Sequence, residues 1–138
     1  MNQMSELHDS ELAIIWFDYR AAIIIFSHLY IHKSEGKPGI DPGSGWSQRA
    51  ELVIGDATEI DLPSAWPCKI YDGFLELNGD LHDNEIPIPL AHSGSVRFKL
   101  DFADDDDNVK SLEIMGHSAH PTLLGEAQYV EEYRAHVE

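Results

Sequence analysis

Ser95-Val96-Arg97-Phe98-Lys99-Leu100-Asp101-Phe102 alternates polar and apolar side chains without a break. In an extended chain, successive side chains point to opposite faces. Val96, Phe98, Leu100 and Phe102 therefore share one face, while Ser95, Arg97, Lys99 and Asp101 share the other. This is the pattern of a strand buried on one side. Residues 103–108 (ADDDDN) are polar and turn the chain. Residues 109–116 (VKSLEIMG) then read as the return strand, with Leu112 and Ile114 inward. In such a hairpin Glu113 falls across from Arg97 or Lys99 on the outer face, a favourable cross-strand pairing.

The rest of the chain reads outward from this hairpin. Residues 11–17 (ELAIIWF) are strand-like, and Asp18-Tyr19-Arg20 turns the chain into residues 21–32 (AAIIIFSHLYIH). A buried helix over 11–32 is the rival, but the run Ile23-Ile24-Ile25 argues against it, because β-branched residues crowd a helix. Residues 34–44 (SEGKPGIDPGS) are a long loop. Residues 46–55 form another strand, with Trp46, Gln48, Ala50, Leu52 and Ile54 on one face. Residues 70–77 are a strand in which Asp72-Gly73 marks a bulge or tight turn, and Asn78-Gly79 signals a turn. The two prolines in 86–90 (IPIPL) make that segment an edge or a connector. After Gly125, the apolar residues Ala127, Val130, Tyr133 and Val137 recur at helical spacing, which predicts a short C-terminal helix with a last strand as the alternative. The sum is one domain over residues 1–138, mainly β with α+β at the margin. It reads as an antiparallel two-layer sandwich or half-barrel of six to eight strands.

Composition narrows the function classes. Nine basic against 25 acidic residues give a net charge of −16. Such a surface repels phosphates and anionic lipid, so neither nucleic acid nor membrane is an expected partner. The acids are concentrated in the middle of the chain: from residue 51 to residue 91 the only Lys or Arg is Lys69. Asp72, Asp80, Asp83 and Glu85 in that stretch, with the loop aromatic Trp66, are the candidate contacts for a basic protein partner. The single cysteine, Cys68, permits no intramolecular disulfide and suits a reducing, cytoplasmic setting. The N-terminal residues carry acids where a signal peptide needs bases.

Eight histidines invite a metal reading, and His28 and His32 have i, i+4 spacing. On a helix these would share a face. On a strand they lie roughly 13 Å apart, too far for one ion. His8, Asp9, His117 and His120 are the remaining metal or catalytic candidates, since His8-Asp9 is an HD dipeptide and His117 and His120 share a loop-like stretch. The competing role for residues 8–10 is to cap or turn the chain, with His8 packed against the sheet. Asp104 to Asp107 fails the EF-hand pattern, because the required glycine falls on Val109 and the twelfth-place acid on Met115. Cys68 lacks an evident base, and no nucleophile elbow or phosphate loop is present. No cofactor is expected.

Three stretches together resemble a known group: Leu7-His8-Asp9-Ser10, the DG-strand-NG region with IPIPL after it, and LEIMG followed by GEAQYVEEY. They are similar to a group of small bacterial proteins that open with an HDS-type element, some of whose relatives are grouped with immunity proteins of toxin systems. The resemblance implies a small cytosolic β-rich domain and carries no functional residue with it. The readings that follow are a non-enzymatic domain binding a basic partner, a metal-dependent or small-ligand enzyme using the His/Asp set, and an oligomeric protein, such as a dimer, pairing along strand edges.

Overall fold

The computed structural model describes residues 2–60, 68–103 and 108–133. It is all β and antiparallel. The strands are β1 (Asn2–Asp18), β2 (Ala21–Ser34), β3 (Gly43–Gly55), β4 (Thr58–Ile60), β5 (Cys68–Leu77), β6 (Asp80–Asp83), β7 (His92–Ala103) and β8 (Val109–Tyr133). The sheet runs β1-β2-β3-β8-β7-β5-β6, with β4 added to β8. It curls until β1 also pairs with β5, through Glu11 opposite Lys69 and Leu12 opposite Cys68. The half-barrel thus closes into a six-stranded ring, and β6 hangs from its edge. No helix of the described residues is long and apolar enough to cross a membrane.

The deciding hairpin forms as read. Lys99 lies opposite Glu113 on β8. The bond itself runs on the diagonal, from Arg97 Nε to Glu113 Oε1 at 2.6 Å. The inward residues of β7 and β8 join those of β1, β2, β3 and β5 in one apolar cluster, with Phe26, Phe98, Leu52, Ile54 and Ile114 fully buried. Burying each such side chain contributes about 1.5–3 kcal/mol. Asn78 and Gly79 take positive φ values of 50° and 87° in the two-residue turn between β5 and β6, the geometry Asn-Gly favours. Asp72 sits at a register shift in the β5–β7 ladder, so the DG pair is a bulge. The turn 104–107, Trp66 and residues 134–138 lie outside the described residues.

Residues 84–91 connect β6 to β7 and cover the mouth of the barrel. Ile86 is buried, and Ile88 and Leu90 pack against the core. Ser5 of β1 ties this connector at one end, donating to the Ile86 carbonyl and accepting from the Ile86 amide at 2.9 Å. His120 of β8 ties the other end through Leu90, with Nδ1 3.1 Å from the carbonyl oxygen.

Two expectations are corrected. Among the described residues the C-terminal helix is absent: residues 125–133 continue β8 and pair with β3, with Tyr129 opposite Trp46 and Glu132 opposite Ser44. Gly125, at φ 68°, takes part in a bulge there. The bulge resets the side-chain alternation, and the reset imitates helical spacing. The first strand also begins at Asn2 rather than Glu11, so the HDS element lies inside β1 and not before it.

Candidate functional site

The HDS element makes the largest irregularity in the sheet. Glu6 lies opposite Tyr30 and Glu11 opposite His28, so four β1 residues intervene against one on β2. Leu7 turns into the core, whereas His8 and Asp9 are exposed. Asp9 takes φ 68°, a conformation in which Asp is tolerated better than most residues. Ser10 repairs the ladder across the gap. Its hydroxyl donates to the Glu6 carbonyl at 2.6 Å and accepts the Tyr30 amide at 3.0 Å. The role of residues 8–10 that geometry supports is therefore structural, with Ser10 as the working side chain.

Asn84 fills the gap that the bulge opens between β1 and β5. Its carbonyl accepts the Leu7 amide at 2.9 Å and its amide donates to the Gly73 carbonyl at 2.8 Å. Its side-chain oxygen accepts the His8 amide at 2.8 Å, and its Nδ2 donates to Glu6 at 3.3 Å. One residue thus bridges the seam where the two strands part.

Two clefts lie on the outer surface around the bulge. One, of about 250 Å³, is lined by His8, Asp9, Glu11, His28, Lys69 and Tyr71. The other, of about 360 Å³, shares Asp9 and His28 and adds Tyr30, Ser47 and Glu131. His8 Nδ1 donates to the Tyr71 carbonyl at 2.7 Å, and its Nε2 lies 3.5 Å from Asp9. The carbonyl contact, helped by Asp9 and Glu6, holds the His8 imidazole above its ordinary value of 6.5. Two imidazoles, two carboxylates and one ammonium line the smaller cleft. Among the described residues, no group of three or more His, Cys, Asp or Glu side chains is arranged to hold a metal ion.

The four His/Asp candidates do not share a site. His117 lines a third cleft with Asp56, Glu76 and Arg97, while His120 bonds the connector. Strands β2 and β3 separate their strand from that of His8 and Asp9. His28 and His32 part as well: His28 opens on the clefts and His32 is buried against Glu6. Cys68 is buried in the core opposite Leu12. Asp72, Asp80 and Asp83 are exposed around the β5–β6 hairpin, and Glu85 lies 3.4 Å from His82.

A row of polar groups crosses the outer face beyond the bulge, with no sequence signal to reveal it. His32 Nε2 donates to Glu6 Oε2 at 2.6 Å. Tyr30 stacks edge-on against His32 and donates to Glu131 at 2.7 Å. It reaches Glu131 by lying over Gly45, where a Cβ would stand 1.9 Å from the hydroxyl. Burial and the Glu131 carboxylate push the Tyr30 phenol well above its ordinary value. The His32 bond holds the Glu6 carboxyl below its ordinary 4.5. A depressed carboxyl contributes stability above pH 4.5 that is lost as the pH falls through its folded value. Glu6→Gln should cost about 1–3 kcal/mol at pH 7. It should also flatten the acid limb of a urea-unfolding series from pH 7 to 3. An unchanged acid limb would remove the pair as a source of that dependence.

Comparison with protein-family models, with curated proteins and with solved structures finds no match.

Proposed function

We propose that the chain is a non-enzymatic cytoplasmic binding domain whose acidic surface meets a basic protein partner, in the manner of an immunity-type protein. The observation that carries this reading is the state of the acids on the β5–β6 hairpin. Asp72, Asp80 and Asp83 are exposed and form no ion pair with Lys or Arg among the described residues. On the neighbouring strand Arg97 is committed to Glu113 and lies over the Phe74 ring. Negative charge is therefore left unpaired where a partner can reach it, on a chain of net charge −16. Such a field speeds the encounter with a cationic surface and rejects an anionic one.

The test is capture from source-cell lysate on immobilised protein at about 50 mM and about 500 mM salt, bracketing a Debye length of ~10 Å at 0.1 M. A basic protein retained at low salt and released at high salt is expected. No specific protein at either salt, or an acidic one, would overturn the reading.

A further inference from the structure

The β1–β2 hairpin is apolar on both faces. Ile15 and Ile24 lie opposite each other and are buried in the core. On the outer face Ile14 lies opposite Ile25 and Trp16 opposite Ile23, and Val53 of β3 continues the row beside Ile23. Ile14 is 40% exposed and Trp16 42%. An antiparallel sheet with one wet face carries polar residues on that face, whereas strands apolar on both faces are strands covered on both. Apolar residues contiguous over three strands of an outer face mark an interaction surface.

Two features flank this patch. At one end Tyr19 and Arg20 form the turn between Asp18 and Ala21. Tyr19 is 99% exposed and holds φ 62°, where a bulky residue is an outlier and glycine is at ease. Arg20 is exposed and forms no ion pair among the described residues. At the other end is the bulge cleft of about 250 Å³, lined by His8, Asp9, Glu11, His28 and Lys69. That volume falls below the roughly 300–1,000 Å³ of small-molecule pockets and suits a single side chain. Asp9 stands 3.5 Å from His8, and Glu11 accepts the Ser27 hydroxyl with one oxygen, so both carboxylates keep accepting capacity.

Spacing and charge select the occupant. The Ile15–Ile24 pair is the middle of the patch. On β1, Tyr19 lies four residues after Ile15 and Glu11 four before it; on β2, Arg20 lies four before Ile24 and His28 four after it. Each flank is therefore about 13 Å from the centre, at about 3.3 Å per residue. A two-fold axis across the strands at Ile15 and Ile24 lays patch on patch and brings each turn onto the other copy's cleft. Such an isologous contact needs one surface complementary to itself. The turn carries Asp18 and Arg20, and the cleft offers Asp9 and Glu11 beside His28 and Lys69, so each sign on the turn meets its opposite in the cleft.

We infer that the chain forms a two-fold dimer through the outer face of the β1–β2 hairpin, with the Tyr19-Arg20 turn of one copy seated in the bulge cleft of the other. The inference goes beyond the basic-partner reading and does not depend on it, since it uses none of Asp72, Asp80 or Asp83. The tyrosine kept at a strained turn position then has a use, because its ring fills the partner's cleft.

The contact is about 26 Å long and three strands of about 4.8 Å wide, at the modest end of stable interfaces. Sedimentation equilibrium on the whole chain therefore covers about 1 μM to about 1 mM. Salt is held at about 500 mM, where the repulsion between two copies of net charge −16 is screened. A concentration-dependent dimer is expected. Trp16→Ser should raise its Kd by about 30-fold or more, as the loss of a central aromatic anchor does. Tyr19→Gly should raise it by about tenfold. Glycine accepts φ 62°, so this variant keeps the turn and carries the test if Trp16→Ser does not fold. A parent that stays monomeric to about 1 mM overturns the inference and leaves a different protein to cover the patch. A dimer indifferent to either substitution overturns it too, because the two-fold places both side chains in the contact.

Discussion

Phe98→Ala should lower the unfolding free energy by about 3–5 kcal/mol, the range for removing a buried aromatic side chain. Phe98 has no solvent exposure and lies at the middle of the barrel wall. Leu75 of β5 stands opposite it on one side and Ile114 of β8 on the other, both fully buried. No backbone change can fill the space, because the three strands are held in register by their ladders. A domain of this size has about 5–15 kcal/mol in total, so the loss is a large share of it. With a slope near 2 kcal/mol per molar, the urea midpoint should fall by about 2 M. Phe74→Ala is the control. Phe74 is on β5 too, one residue from Leu75, but it points outward beneath Arg97. Its loss should cost about 1 kcal/mol or less, since little apolar area returns to water. Equal costs at the two positions would contradict the inside-outside assignment that closes the barrel.

Asn84→Ala should cost about 2–5 kcal/mol, from two causes that a second variant separates. The side chain holds the His8 amide and Glu6, and losing such bonds at a seam costs about 0.5–1.5 kcal/mol each. Asn84 also sits at φ 58°, where alanine is disfavoured by roughly 1–2 kcal/mol. Asn84→Gly removes only the first cause, so it should retain the φ and lose less. In both variants the His8 amide should exchange faster with solvent. The Leu7 amide, whose partner is the Asn84 main chain, should stay protected in Asn84→Gly. If both variants matched the parent in urea and in exchange, the seam between β1 and β5 would not be held at Asn84.

These two residues mark what could be read from sequence and what could not. Phe98 declares itself, because strict alternation over 95–102 fixes its face without knowledge of any partner strand. Asn78-Gly79 is equally local, since few residues accept positive φ in a two-residue turn. Asn84 has no such mark: its four hydrogen bonds reach residues more than ten positions away, and no local pattern announces any of them. The segment before Glu11 hides its strand for a related reason. The bulge at residues 7–10 shifts the alternation, so Ser5 and Leu7 on one side of it cannot be phased with Leu12 on the other. Past Gly125 the same reset, with pairing to β3, makes strand out of a helix-like spacing. The strand reading of 21–32 does separate His28 from His32, and Ser10 does bond the local backbone at Glu6, whereas His8 is exposed rather than packed against the sheet. The Glu6–His32 and Tyr30–Glu131 contacts depend on which strands become neighbours, and the sequence carries no trace of that order.

If the unpaired surface acids bind a basic protein, neutralising them must weaken its capture. The direct measurement compares the parent chain with Asp72→Asn/Asp80→Asn/Asp83→Asn in capture from the same lysate at about 50 mM salt, where exposed charges are screened least. These side chains are exposed, so the substitution should leave the unfolding free energy within about 0.5 kcal/mol of the parent. Binding through these acids means that the parent retains a basic protein and the variant about tenfold less of it, with slower association. Equal retention by the two chains would contradict it.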